Sequence, residues 1–169
     1  MNRIVLMGFM GAGKTTIGKR LAKVLGCRFL DTDEMIEQEQ ERKISDIFQK
    51  DGEAAFRDME TELLKRLNQS DEMFVLSIGG GMPVREENRE LLREIGTVIY
   101  LKTSKEEIIR RVSGDQNRPL LQGGSLEEKV TSLMTAREQI YIETAHQEFF
   151  TDGKSPLQIA SELKNLICG

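Results

Sequence analysis

A glycine-rich segment close to the N-terminus constrains the fold more than any other feature of the sequence. Residues 8–15 read Gly-Phe-Met-Gly-Ala-Gly-Lys-Thr, in which a first glycine and the unit Gly-Lys-Thr are separated by four residues. The apolar residues of Ile4–Met7 predict a buried strand before it, and apolar residues at helical spacing predict a helix over about 16–25, ended by Gly26. A strand, a glycine-rich loop and a helix in this order are the context in which such a segment binds phosphate groups.

Each part of this segment suits a bound phosphate. Glycines at positions 8, 11 and 13 let the backbone curl with its N–H groups pointing inward, and the helix adds the positive end of its dipole. Lys14 can reach the outer phosphates of a nucleotide, and the hydroxyl of Thr15 can bind Mg²⁺. An ordinary glycine-rich turn needs neither residue at these offsets. We therefore expect nucleotide phosphates to contact Gly11, Ala12, Gly13, Lys14, Thr15 and Thr16.

The composition narrows the classes of partner. A chain of 169 residues can bury a sizeable core, and we expect a single domain over residues 1–169. The net charge of −4, without a long basic run, argues against nucleic acid as a partner, and no apolar stretch is long enough to span a bilayer. Because the first strand begins near residue 3, we expect no signal peptide.

The cysteines indicate the cellular compartment, and the one histidine limits the kind of catalysis. Cys27 and Cys168 lack the spacing of metal ligands, and two thiols in a chain of this size are typical of the reducing cytoplasm. His146 ends a long helical pattern, so we expect it at the surface and expect no histidine-based catalysis. Nothing in the sequence demands a dimer, and we expect a monomer.

Strand-like and helix-like segments alternate along the chain. This alternation predicts an α/β protein in three layers, with helices on both faces of a parallel sheet. Ser104, Ser125 and the pair Ser155-Pro156 have the residue types that begin helices. The five predicted strands are Ile4–Met7, Arg28–Asp31, Phe74–Ile78, Val98–Leu101 and Glu148–Thr151.

Two predicted helices carry charged residues inside their apolar faces. In the helix over 53–67, Glu60 falls in the middle of the apolar stripe and Arg57 at its edge, three residues away and within pairing reach. In the helix over 125–145, Arg137 falls among apolar residues. An unpaired ion facing a core costs several kcal/mol, so these charges need partners or a wet cavity. Arg57 and Arg137 either line a pocket for an anionic substrate, with Glu60 holding Arg57, or serve as structural ion pairs and surface-reaching arginines.

Two further segments follow the ends of predicted strands, where ligands gather in parallel sheets. If Asp31-Thr32-Asp33 is extended, its two aspartates project to the same side, one for a metal and one for a substrate hydroxyl; alternatively, Thr32 or Asp33 caps a helix. Gly79-Gly80-Gly81 lets a ligand touch the backbone, or forms a loose turn. Since no acidic residue ends the strand before these glycines, Asp31 is the best candidate to order Mg²⁺.

The stretch over about 112–125 lacks periodicity and is long for a connection between a strand and a helix. Loops of this length in compact domains are often functional lids, and the alternative is a mobile surface loop. The predicted substrate-binding helices lie over about 32–62.

Taken in order along nearly the full length, these motifs resemble the shikimate kinase family. The first motif alone is common to many unrelated proteins, whereas the ordered set of six is specific to this family. The set comprises Gly13-Lys14-Thr15, Asp31-Thr32-Asp33, Phe56-Arg57-Asp58-Met59-Glu60, Gly79-Gly80-Gly81, Arg118-Pro119-Leu120-Leu121, and Arg137 with Tyr141 and Ala145 at four-residue steps.

The resemblance implies a P-loop kinase fold like that of the nucleoside monophosphate kinases, with strand order 2-3-1-4-5. It implies transfer of the ATP γ-phosphate to the 3-hydroxyl of shikimate, a step of aromatic amino-acid biosynthesis, with Mg²⁺ bound by Thr15 and, through water, by Asp31. Asp33 would hold the ring hydroxyls and accept the attacking proton, and Arg57 and Arg137 would clamp the carboxylate. The remaining implied contacts are Gly79, Gly80 and Gly81 through their backbone, Phe48 and Phe56 as apolar walls, Arg118 at the transferring phosphate, and Arg111 and Pro156 around the adenine.

Three other functions stay open on the sequence. A sugar-acid kinase such as gluconate kinase also needs a carboxylate clamp, although the glycine triplet and the aspartate spacing favour shikimate. An adenylate-kinase-type enzyme is disfavoured by a short lid segment in which Arg118 is the one arginine. A nucleotide-binding module without turnover is disfavoured, because such a module does not need a competent residue at every catalytic position.

Overall fold

The computed structural model describes residues 3–113, 121 and 123–169. The elements along this part of the chain alternate as the sequence predicted. They are β1 (Ile4–Met7), α1 (Lys14–Leu25), β2 (Arg28–Asp31), α2 (Thr32–Gln40), α3 (Ile44–Lys50), α4 (Glu53–Asn68), β3 (Phe74–Ser77), a 3₁₀ turn (Met82–Val84), α5 (Glu86–Ile95), β4 (Thr97–Lys102), α6 (Lys105–Val112), α7 (Leu126–Thr144), β5 (Gln147–Phe150) and α8 (Pro156–Cys168).

The strands form one parallel sheet in the order β2-β3-β1-β4-β5, which confirms the strand order implied by the resemblance. Strand β1 lies at the centre, where Val5 pairs with Leu76 of β3 and with Val98 of β4. All four residues of β1 are buried, because helices cover both faces of the sheet. The carboxyl ends of β1, β2 and β3 therefore open side by side at one edge of the sheet.

Alternate residues of β1 separate two apolar cores, one on each face of the sheet. Ile4 and Leu6 pack with residues of α1 and α8, such as Ile17 and Ile159. On the opposite face, Val5 and Met7 join residues of α4, α5 and α7 in a larger core. This period-two alternation is what a strand buried between two helical layers requires, and it confirms the three-layer architecture.

Some element bounds differ from the sequence predictions. Strand β3 ends at Ser77 and β5 covers Gln147–Phe150, one residue earlier than predicted. The edge strand β5 is largely exposed, which explains its weak apolar pattern. His146 follows α7 and is exposed, as predicted. No described helix combines the length and apolar character needed to cross a membrane.

Candidate active site

The glycine loop joins β1 to α1 in a conformation that depends on its glycines. Gly11 and Gly13 have φ values of 81° and 90°, in the left-handed region that other residues rarely adopt. The ammonium of Lys14 donates to the carbonyls of Gly8 and Phe9 at 2.8 and 3.0 Å, so the side chain folds back over the loop. The whole predicted set from Gly11 to Thr16 lines a cavity of about 480 Å³.

Asp31 lies at the junction of β2 and α2, and both of its carboxylate oxygens are used. Oδ2 accepts a hydrogen bond from the hydroxyl of Thr15 at 3.0 Å. Oδ1 accepts from the backbone N–H groups of Asp33 and Glu34 at 3.0 and 3.2 Å, which makes Asp31 the N-cap of α2. The three residues Asp31-Thr32-Asp33 do not stay extended, because this cap begins α2 at Thr32. The alternative of a helix start at this point is confirmed, although its cap is Asp31 and not Thr32 or Asp33.

A second cavity, of about 400 Å³, opens beside the first. Met10, Asp33, Gly79 and Gly80 line both cavities, so the two spaces meet at these residues. The second cavity brings together every residue predicted to contact the acceptor, together with Glu60, which was predicted to hold Arg57. These residues are Asp33, Phe48, Phe56, Arg57, Glu60, Gly79, Gly80, Gly81 and Arg137.

Two nearly buried guanidinium groups face this second cavity. Arg57 donates to Glu60 at 2.6 Å, as the three-residue spacing predicted, and to Glu53 at 3.1 Å. Arg137 is only 5% exposed, and its guanidinium carbon lies 5.9 Å from the ring centre of Phe9. Arg57 therefore belongs to an ion pair and also lines the cavity, and an anionic substrate in that cavity stays a prediction.

Glu60 is wholly buried, and its carboxylate leaves no room for a side chain at Gly79. Within the described residues, its Oε2 atom has no hydrogen-bond partner. A Cβ atom at Gly79 would lie 3.1 Å from this oxygen and 2.9 Å from Oδ1 of Asp33, so a side chain at position 79 would crowd both carboxylates. The two carboxyl groups beside Gly79 have raised pKa values. Burial raises the pKa of Glu60 to about 7, although the positive charge of Arg57 acts to lower it. Burial and, to a smaller extent, the negative charge of Asp31 raise the pKa of Asp33 to about 6.

The raised pKa of Glu60 predicts a pH-dependent stability. A carboxyl whose pKa rises from 4.5 in the unfolded chain to about 7 in the folded protein stabilises the fold at low pH, and this stability is lost as pH rises through that window. Relative to Glu60→Gln, the wild type should lose about 2 kcal/mol of unfolding free energy between about pH 5 and about pH 7.5. Urea denaturation of both proteins at the two pH values measures this difference. An equal change in the free energy of unfolding of the two proteins would contradict the prediction.

Comparisons with known proteins agree with this geometry. A model of the shikimate kinase family matches residues 10–168. A shikimate kinase of Persephonella marina is 45% identical over 163 residues, which cover 96% of this chain and 97% of the relative. The solved structure of a shikimate kinase from Acinetobacter baumannii, in complex with shikimate, has a TM-score of 0.95 and 40% identity, and covers 99% of this chain and 93% of that one.

The chain belongs to the shikimate kinase family. It is accordingly an ATP-dependent phosphotransferase, which decides in favour of the leading prediction over gluconate kinase and over a binding module without turnover. A second solved shikimate kinase, from Bacteroides thetaiotaomicron, has a TM-score of 0.89 and 32% identity over 99% of both chains. The fold expected for the family is therefore present along the whole described chain.

The remaining predicted nucleotide contacts divide into two groups. Arg111 and Pro156 line the first cavity, and Arg111 donates to the carbonyl of Gly11 at 3.0 Å and to Glu107 at 2.9 Å. Arg118 lies outside the described residues, as does most of the predicted lid over 112–125. The predicted role of Arg118 at the transferring phosphate thus rests on the family resemblance alone.

Two residues near the cavities have contacts that the sequence analysis did not assign. The hydroxyl of Tyr141 donates to the carbonyl of Gly80, so the glycine segment is tied to α7. Tyr141 lies one helical turn after Arg137 in the same apolar stripe, and that spacing was the available signal. Lys154 also lines the first cavity, and its position just before the cap residue Ser155 places it at the start of α8.

Proposed function

We propose that this kinase transfers the γ-phosphate of ATP to the 3-hydroxyl of shikimate. One observation carries the proposal: a cavity with two nearly buried arginines shares Asp33, Gly79 and Gly80 with the cavity of the phosphate loop. A small carboxylated alcohol held by the arginines would meet a nucleotide phosphate at this shared wall. Phosphoryl transfer depends mainly on such positioning and on neutralising charge.

Arg57 and Arg137 bind the carboxylate of shikimate in this proposal. Guanidinium groups recognise a carboxylate through two parallel hydrogen bonds, which a lysine cannot match. Glu60 holds Arg57 through the bond of 2.6 Å, so the guanidinium is oriented before the substrate arrives. Phe48 and Phe56, with ring centres 5.0 Å apart, form an apolar wall beside Arg57.

Asp33 positions the attacking hydroxyl and accepts its proton at a carboxylate oxygen. The group lies where the two cavities meet, between the phosphate loop and Glu60. Lys14 neutralises the charge of the transferring phosphate, and Arg118 adds a second cation from the segment over 112–125. A strong base is not needed, because the transition state of phosphoryl transfer is loose.

Thr15 and Asp31 would hold Mg²⁺, Thr15 directly and Asp31 through water. The pair offers a hydroxyl and a carboxylate oxygen 3.0 Å apart, and hard oxygen ligands of this kind suit Mg²⁺. Within the described residues, no group of three or more His, Cys, Asp or Glu side chains could hold a metal. This limited protein contribution fits Mg²⁺, which keeps several waters and phosphate oxygens as ligands. When bound, Mg²⁺ supplies positive charge to the phosphates.

Asp31→Asn separates the metal role of this residue from its structural role. Asparagine caps helices as well as aspartate does, so α2 should persist and the fold should be unchanged. We expect the Mg²⁺ concentration for half-maximal activity to rise about tenfold, because the carboxylate charge is lost. Titration of Mg²⁺ at saturating ATP and shikimate measures this shift, with circular dichroism as the check on the fold. An unchanged Mg²⁺ requirement would assign Asp31 to capping alone.

Arg111 and Pro156 enclose the adenine ring in this proposal, because both line the first cavity and neither lines the second. The protein is proposed to act as a monomer in the cytoplasm, where its free Cys27 and Cys168 would stay reduced.

A coupled assay of purified protein with Mg²⁺, ATP and shikimate tests the function. ADP release should depend on shikimate, and gluconate or a nucleoside monophosphate should not replace it. Turnover with either of those acceptors and none with shikimate would overturn the substrate assignment. Tight ATP binding without transfer to any acceptor would overturn the reaction itself.

A further inference from the structure

The short 3₁₀ turn Met82–Val84 joins the glycine segment to α5, and α5 holds its backbone. The side-chain amide of Asn88 donates to the carbonyl of Met82 at 2.9 Å. Arg89 donates to the carbonyls of Pro83 and Val84 at 2.8 and 3.1 Å. The N–H of Met82 in turn donates to the carbonyl of Gly79 at 3.1 Å. Asn88 and Arg89, near the start of α5, thus bind all three carbonyls of the 3₁₀ segment that follows the glycines.

The other end of the Asn88 amide connects this turn to α4. Its Oδ1 atom accepts from the hydroxyl of Thr61 at 2.8 Å. The same hydroxyl lies 3.1 Å from the carbonyl of Arg57, so its one proton is shared between Asn88 and the backbone that carries the arginine. Asn88 and Thr61 therefore span the two walls of the acceptor cavity, the glycine segment and the helix that bears Arg57 and Glu60.

The burial of this link distinguishes it from other polar contacts between α4 and α5. Asn88 is fully buried and Thr61 is 4% exposed. The contact between Asn68 and Glu94, which joins the same two helices, is exposed to solvent. A buried hydrogen bond has no competition from water and is costly to leave unmade, whereas an exposed one is readily exchanged. The buried amide is thus suited to hold a fixed spacing.

We propose that Asn88 is a positioning residue for acceptor binding: it holds the glycine segment at the distance from Arg57 that the acceptor requires. This inference rests on the proposed function, because it concerns the cavity assigned to shikimate. The spacing is tight, since a Cβ at Gly81 would clash with the guanidinium of Arg57. A shift of about 1 Å between the two walls is enough to misplace a bound ligand and to cost binding or rate.

Asn88→Ala tests the proposal, with Asn68→Ala as the matched control. Both variants remove an asparagine amide that links α4 to α5, but Asn68 lies eleven residues beyond Arg57, about 16 Å along the helix. We expect Asn88→Ala to raise the KM for shikimate about tenfold and to leave the KM for ATP within about twofold. Asn68→Ala should change neither constant.

Thr61→Val provides a second, gentler variant, because valine keeps the side-chain shape and removes the shared hydroxyl. It should raise the KM for shikimate as well, and the double variant Asn88→Ala/Thr61→Val should raise it no more than the larger single effect. If Asn88→Ala does not yield folded protein, Thr61→Val decides the question alone.

Two outcomes would overturn the inference. An unchanged KM for shikimate in Asn88→Ala, or in Thr61→Val where that variant decides alone, would show that the link does not set the spacing. Equal increases in the KM values for shikimate and ATP would show a general loss of structure. Either result leaves the proposed function intact, provided that the wild type phosphorylates shikimate. A wild type without this activity would instead overturn the function itself.

Discussion

Replacing Asp33 by asparagine is expected to lower kcat with shikimate by about 10²–10⁴-fold and to leave the affinity for ADP unchanged. The carboxylate lies where the phosphate-loop cavity meets the cavity of the two arginines, so it can reach a hydroxyl aimed at the phosphate. Asparagine keeps the shape of the side chain but cannot accept the proton at that point. The substitution leaves the loop residues that are predicted to contact the nucleotide unchanged.

Steady-state kinetics with shikimate, together with calorimetry of ADP binding, measure these two effects separately. Asp71→Asn is the matched control, because Asp71 is exposed and precedes β3, at the opposite end of the sheet from the cavities. The control should keep the wild-type kcat. If Asp33→Asn retains kcat within a few-fold, Asp33 does not take part in proton transfer.

Arg137→Ala is expected to raise the KM for shikimate by about 10²-fold or more, with the KM for ATP unchanged. Arg137 is 5% exposed, and truncating one member of a buried, hydrogen-bonded charge pair costs about 2–5 kcal/mol. The KM for shikimate of Arg137→Lys should lie between those of Arg137→Ala and the wild type, because lysine keeps the charge and loses the planar pair of donors. This ordering is specific to a carboxylate bound by the guanidinium.

The stability of Arg137→Ala needs a parallel measurement, because the arginine also lowers the pKa of buried Glu60. Urea denaturation reports the free energy of unfolding, and Arg20→Ala, at an exposed position of α1, is the surface control. A variant that folds stably and binds shikimate with wild-type affinity would reduce Arg137 to a structural role.

The layers of the fold could be predicted because they follow from local patterns of apolar residues and glycines. The central strand is buried on both faces and reads as a continuous apolar run, and the glycine loop follows it at once. The exposed edge strand β5 had a weaker pattern, and its bounds were predicted one residue late. Helices α2 and α3 received no individual bounds, because few of their residues are buried.

The charged residues of the candidate site were visible because they interrupt apolar stripes. Glu60 and Arg137 stand where a helix should present apolar side chains, and burial makes such exceptions costly. The role of Asp31 as a helix cap was missed, because a short polar side chain at a strand end fits both a metal site and a cap. The link from Asn88 to Thr61 was also missed, since it joins residues 27 positions apart.

By itself, the sequence determined the strands and most of the helices, the loop in which a phosphate is expected to bind, and the charges that are out of place, because each depends on neighbouring residues and their periodicity. Only the tertiary structure decided that the carboxylates, arginines and glycines surround one cavity next to the phosphate loop. That outcome depends on how β2, β3 and α7 pack around β1, and distances between residues far apart in the chain are set by packing.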